Sequence, residues 1–192
     1  MPDFQLAVAS SGEWVEAVLA NFDAFLLDHA ANERKASAMA MSLVAHYPDK
    51  AELVNAMIDL ALEELGHFRQ VVRLATARGL QLAPDEKDPY VNRIREQVRQ
   101  GSDHYFLDRL LSASVIEFRG AERFRTLSRH LTDDSLRRFY ASLASSEQGH
   151  HLLFLELATR YFPKPMVYSR MEAWLAIEQD IVAGIPARPR LH

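Results

Sequence analysis

The chain of 192 residues has no cysteine, only 7 glycines and 8 prolines, and no apolar run that approaches the length of a membrane span. Without cysteine there is no disulfide framework, all-cysteine iron–sulfur cluster, thiolate zinc site or cysteine nucleophile, and a reducing, cytoplasmic setting fits. The opening Met-Pro-Asp-Phe-Gln lacks the basic and apolar regions of a secretory leader, so a soluble cytoplasmic protein is expected. A net charge of -4 with 25% charged residues excludes both a disordered polyelectrolyte and a broadly basic nucleic-acid coat. No run of alternating β-branched residues is bounded by turns, so no strand is predicted.

What remains is a helical period. Apolar residues recur at intervals of three and four almost throughout, which predicts one all-α domain over residues 1–192. Ser10-x-x-Glu13 has the spacing of a capping box, and the pattern runs from there to about His46 with a break near Asn21. A second helix is expected from about Asp49 to Arg78, closed by Gly79. A short helix over roughly 89–99 precedes long ones over about 103–130 and from Thr132 to the region of Tyr161. Ser169-x-x-Glu172 reads as the start of a last helix, and residues 185–192 as an extended tail. Four long helices in two hairpins, with a longer crossover between them, form a ferritin-like four-helix bundle with additional short helices.

Each apolar stripe is interrupted by a carboxylate. Glu33 stands between Ala30 and Ser37, Glu64 between Leu60 and Val71, Glu117 between Ala113 and Ala121, and Glu147 between Leu143 and Phe154. Two of them begin Glu-x-x-His pairs, Glu64 with His67 and Glu147 with His150, whose members share one helix face. Burying an unpaired carboxylate costs several kcal/mol, so four in one core require protons or cations between them. Glu33 precedes Glu64 by 31 residues and Glu117 precedes Glu147 by 30, so the hairpin is written twice. A duplicated Glu plus Glu-x-x-His is how carboxylate-bridged di-iron or di-manganese centres are built in helical bundles. Gly66 and Gly149, each just before a histidine, point to close backbone approach. His29 and His151 are candidate supports behind the ligands. His46, His104, His130 and His192 read as surface or loop residues, and Glu63 and Glu122 as solvent-facing or Arg-paired.

Around these residues the sequence resembles the bacterial tRNA 2-methylthio-N6-isopentenyladenosine hydroxylases, the MiaE family. The likeness rests on His-Ala-Ala-Asn-Glu-Arg-Lys-Ala at Glu33, Leu-Glu-Glu-Leu-Gly-His-Phe at Glu64, Ser-Val-Ile-Glu-Phe-Arg-Gly-Ala-Glu-Arg-Phe at Glu117 and Ser-Glu-Gln-Gly-His-His at Glu147. It implies a non-haem centre of two Fe ions that uses O2 as co-substrate and two electrons from an external donor, an electron-transfer protein or reductase. Its substrate would be the isopentenyl chain of the modified adenosine beside the anticodon of tRNA. It further implies that Glu33 and His67 hold one iron, Glu117 and His150 the other, with Glu64 and Glu147 bridging. Leu26, Ala30, Ser37, Ala113 and Ser114 are candidate pocket-lining residues.

Contact with RNA requires a cationic face. Residues 93–138 carry 10 Lys+Arg, all of them Arg, against 7 Asp+Glu. Arg123, Arg125, Arg137 and Arg138 are the expected RNA contacts, Arg119 and Arg129 being set aside as engaged by intrahelical partners. Two alternatives share the metal motif: a ferritin-like di-iron oxidase or peroxide scavenger, and a small-molecule di-iron oxygenase.

Overall fold

A computed structural model describes residues 2–192 as seven helices with no strand among them. They are α1 (Gly12–Ala20), α2 (Phe22–His46), α3 (Ala51–Ala77), α4 (Pro89–Glu96), α5 (Ser102–His130), α6 (Asp134–Tyr161) and α7 (Lys164–Ala183). The helices divide between two compact units. One comprises Glu16–Glu86 with Arg188–Leu191, and the other runs to Val15, resumes over Lys87–Ala187 and includes His192.

In the first unit α2 packs against α3. Asn21 interrupts the chain after α1 and caps α2 by accepting a 3.2 Å hydrogen bond from the Ala24 amide. Pro48 lies just beyond the end of α2, and α3 closes on Gly79 at φ 75, a left-handed conformation that only glycine adopts at no steric cost. The apolar stripe folds inward as the period dictates: Leu26, Ala30 and Ala40 from α2 face Leu53, Met57 and Val71 from α3, all fully buried.

In the second unit α5 packs against α6 and α7, with α4 against α7. Asp88 caps α4 through the Tyr90 and Val91 amides, and Asp133 caps α6 through the Leu136 amide at 2.8 Å. Asp108 on α5 ties the unit together: it accepts from Arg99 and from both Nε and a terminal nitrogen of Arg170 at 2.8 Å, and from Trp174 Nε1 at 3.3 Å.

Three expectations change. The capping box at Ser10 does not form, because the Ser10 amide and hydroxyl both donate to the Glu122 carboxylate, and Ser11 Oγ takes the Trp14 amide instead. The last helix begins at Lys164, five residues before Ser169, because Pro163 and Pro165 pre-set the first turn and need no hydroxyl cap. The segment after α7 is non-helical as expected, but it is anchored. Arg190 pairs with Asp28 and Glu86, the Leu191 amide donates to Asp28, and His192 stacks on Tyr90 at 4.9 Å.

Candidate metal centre

On α2, the helical period puts Glu33 on the inward face one turn after His29, and both are buried. His29 Nε2 donates to Glu33 Oε1 at 2.6 Å. From α3, His67 Nδ1 lies 3.5 Å from Glu33 Oε2 and 3.7 Å from Glu64 Oε2. One ligand atom from each of Glu33, Glu64 and His67 therefore lies within 4.8 Å of the others. On the outer side of the same imidazole, Nε2 is 3.8 Å from an oxygen of Glu63, which is half exposed.

The electrostatics of this triad favour positive charge. Burial opposes ionisation of Glu33, but hydrogen bonds from His29 and His67 outweigh it and hold the carboxyl well below its usual range. Burial also opposes protonation of His67, yet Glu33 and Glu64 raise its pKa to about 10. Carboxylates that retain a proton on an imidazole this strongly attract a metal dication more strongly still.

The second hairpin repeats the arrangement. His150 Nδ1 on α6 lies 3.9 Å from Glu117 Oε2 on α5 and 3.7 Å from Glu147 Oε2 one turn before it. These three also offer ligand atoms within 4.8 Å of one another, and all are buried. Gly120 on α5 packs beside Glu147, where a Cβ would meet its Oε2 at 3.7 Å, an ordinary van der Waals contact. Each triad thus presents two carboxylates and one imidazole in a water-poor setting. This oxygen-rich, thiolate-free donor set suits iron or manganese. The residues present fit such a metal, with His67 Nδ1 and His150 Nδ1 facing the carboxylates.

The neighbouring residues sort differently from their sequence reading. His29 hydrogen-bonds Glu33 from one turn before it. His151 instead hydrogen-bonds Ser114 and stacks on Phe118 at 4.2 Å. Ser37 and Ser114, proposed as pocket lining, donate their hydroxyls at 2.9 Å to the carbonyls of Ala61 and His151, so they serve helix packing. Glu122 pairs with Arg119, as expected, at 3.0 Å. Glu63 was missed as a partner of His67, and its place one turn before that histidine is the signal that identifies it. The backbone contact expected at Gly66 and Gly149 is absent, with nothing among the described residues within 4 Å of a built Cβ, and nothing in the structure explains these glycines.

Of the basic residues, Arg123 is buried. Its Nε donates to Ser10 Oγ at 3.2 Å, its guanidinium lies 5.0 Å above the Trp14 ring, and burial beside Arg119 brings its pKa down to about 10. A phosphate cannot reach it, which removes it from the expected RNA contacts. Arg125 is half-buried. Arg137 and Arg138 are exposed and, with Ser128, Arg129 and Ala141, line a surface cavity of about 390 Å³. Arg137 is 3.1 Å from Asp134, whereas Arg129 and Arg138 have no carboxylate partner among the described residues, so Arg129 is not engaged as its helix position suggested. Arg119 is engaged, by Glu122 and Glu178.

The chain is similar along nearly its whole length to known proteins. Residues 3–192 match the family model described as tRNA-(ms2io6A)-hydroxylase (MiaE). A tRNA 2-(methylsulfanyl)-N(6)-isopentenyladenosine(37) hydroxylase of Pseudomonas putida is 36% identical over 190 residues, covering 99% of this chain and 92% of that protein. The enzyme of the same description from Salmonella typhimurium is 30% identical over 141 residues, 73% of this chain and 52% of the relative. Among solved structures, a Synechococcus protein described as having aldehyde deformylating oxygenase activity superposes with a TM-score of 0.94 at 35% identity, covering 99% of this chain and 96% of that one. No helix among the described residues is long and apolar enough to cross a membrane.

Proposed function

Because the chain belongs to the MiaE family of tRNA hydroxylases, we propose that it hydroxylates the isopentenyl side chain of 2-(methylsulfanyl)-N6-isopentenyladenosine in tRNA with a di-iron centre held by Glu33, Glu64, His67, Glu117, Glu147 and His150. The observation that carries the metal assignment is the pair of buried Glu, Glu, His triads, one per hairpin. Glu33 with His67 would hold one ion and Glu117 with His150 the other, and Glu64 and Glu147 would be shared between them. Bound there, an iron pair supplies O2 activation for attack on an unactivated C–H bond. One oxygen atom enters that bond and the other leaves as water, with two electrons and two protons from an external reductase or electron-transfer protein.

The protein's own residues supply the rest. The carboxylates neutralise the cations, His29 fixes the orientation of Glu33, and the apolar residues flanking each triad exclude water that would quench an oxidant. The cavity lined by Arg129, Arg137 and Arg138 supplies cationic contacts for RNA phosphates. Arg138 is nine residues from Glu147 on α6 and Arg129 twelve from Glu117 on α5, distances of roughly 14 and 18 Å along the helices. A few nucleotides of backbone span that separation, so phosphates can rest there while a base on the same strand reaches the ligands.

The fold is shared with a protein described as an aldehyde-deformylating oxygenase, so fold alone does not set the substrate. The deciding experiment is mass spectrometry of nucleosides from prenylated tRNA incubated with iron-loaded protein, O2 and reductant. A gain of one oxygen on the prenylated adenosine is expected. Reductant consumption with no hydroxylated nucleoside would instead support an oxidase or scavenger.

A further inference from the structure

The inward face of α3 carries Leu53, Met57, Leu60 and Val71, all buried, yet its outward face is not polar throughout. Ile58, Leu62 and Leu65 follow one another there at spacings of four and three residues, and all are exposed, Leu62 by 64%. Exposed charges of opposite sign flank this stripe at its two ends: Glu52 and Asp59 towards the start of α3, Arg69 and Arg73 towards its end. None of the four has an opposite charge within ion-pair distance among the described residues. Gly66 lies on the same face, four residues after Leu62 and three before Arg69, and a Cβ built on it meets nothing within 4 Å. A mid-helix glycine weakens a helix relative to alanine, and the single chain gives no reason for this one.

The charge pattern selects the occupant. RNA is repelled by Glu52 and Asp59 and gains nothing from burying leucine. A second copy related by a two-fold axis requires a face that is complementary to itself, and this face is. Asp59 lies five residues before Glu64 and Arg69 five after it. When two α3 helices lie antiparallel about an axis level with Glu64, Asp59 of each copy therefore meets Arg69 of the other. In the same register Leu62 and Gly66, two residues either side of Glu64, face each other, and the open space over Gly66 receives Leu62 of the second copy. Glu52 falls within one turn of Arg73 of that copy. Within one chain Asp59 and Arg69 are ten residues apart, roughly 15 Å along the helix, and cannot pair.

We propose that the outward face of α3 is a self-association surface, on which a second copy of this chain docks antiparallel with Leu62 over Gly66 and with Asp59–Arg69 contacts on either side of the axis. The leucines and Ile58 supply the attraction, while the exposed charge pairs add little affinity and set the register. One helix face buries less than the roughly 1,600 Å² of a standard interface, so the dimer is reversible and its population depends on concentration. Neither the metal nor the tRNA enters this contact.

Sedimentation equilibrium of the purified chain, from micromolar to near-millimolar concentration, is expected to show an average mass rising from 21.8 kDa towards twice that value. Leu62→Lys, at an exposed position, and Gly66→Gln, which fills the open space, are each expected to hold the protein monomeric, Gly66→Gln with a raised melting temperature. Asp59→Arg and Arg69→Asp each set like charges against one another across the axis and are expected to weaken association several-fold. An equimolar mixture of these two variants is expected to restore it, because both Asp59–Arg69 contacts of the mixed dimer are again of opposite sign. A single-chain mass for wild type over the whole range, or a dimer indifferent to Leu62→Lys, overturns the proposal. So does a mixture that associates no better than its two components. Weaker tRNA binding by Leu62→Lys, with wild type monomeric throughout, overturns it in favour of RNA as the occupant.

Discussion

Arg119 and Glu178 meet as a two-pronged pair with neither side chain exposed: Nε to Oε1 at 2.7 Å and the second nitrogen to Oε2 at 2.9 Å. Glu178 also accepts from the Tyr90 hydroxyl at 3.3 Å, and Arg119 reaches Glu122 and the Val8 carbonyl, so the pair joins α4, α5 and α7 to the segment before α1. Its strength shows in Arg119, whose pKa rises despite burial because Glu178 faces it. Removing one partner strands a buried charge, so Glu178→Ala is expected to cost about 3–5 kcal/mol, while replacing both residues with methionine costs far less. Urea unfolding of the three proteins checks this.

Asp108 gives the acid limit. Burial opposes its ionisation, but Arg170 and Arg99 more than compensate and lower its pKa from 3.8 to about 2. The unfolded chain takes up the proton first on acidification, so the contribution of Asp108 is fully present above pH 3.8 and is lost as pH falls towards 2. Urea midpoints measured across that window are expected to fall in wild type, and Asp108→Asn to lack this part of the decline while being less stable at neutral pH.

Glu64→Ala and Glu147→Ala are expected to lower bound iron after reconstitution and to abolish nucleoside hydroxylation, because each removes a proposed bridge. Elemental analysis beside the tRNA assay checks both. Trace metal in reconstituted wild type, with unchanged thermal stability, contradicts the assignment.

Changing Arg129, Arg137 and Arg138 together to Glu is expected to weaken tRNA binding and to reduce the slope of log affinity against log salt by about 2. Metal content and turnover of a free nucleoside should persist. Arg123→Ala, which vacates the space over Trp14, is expected to lower stability by about 1–3 kcal/mol. Filter binding across a salt series separates the two effects.

Helices and buried carboxylates were legible for the same reason: a period of 3.6 places the carboxylates in phase with the apolar stripe, and Glu33, Glu64, Glu117 and Glu147 are all buried where that phase puts them. Contacts distant in sequence were not legible. Ser10 has the spacing of a local cap but is taken by Glu122, 112 residues away, and Arg123 resembles a surface cation until Trp14 covers it. No local pattern encodes such partners. The start of α7 was misplaced because Ser169 looked like a cap, although the two prolines earlier already fixed the first turn.

The connections within the hairpins are short: residues 47–50 join α2 to α3 and residues 131–133 join α5 to α6. Contacts across such turns are local in sequence, which favours rapid pairing of the two helices in each hairpin. Each also contains a full set of two carboxylates and an imidazole. During synthesis the N-terminal hairpin leaves the ribosome first. A nascent chain therefore carries Glu33, Glu64 and His67 as one complete triad before Glu117 has been translated.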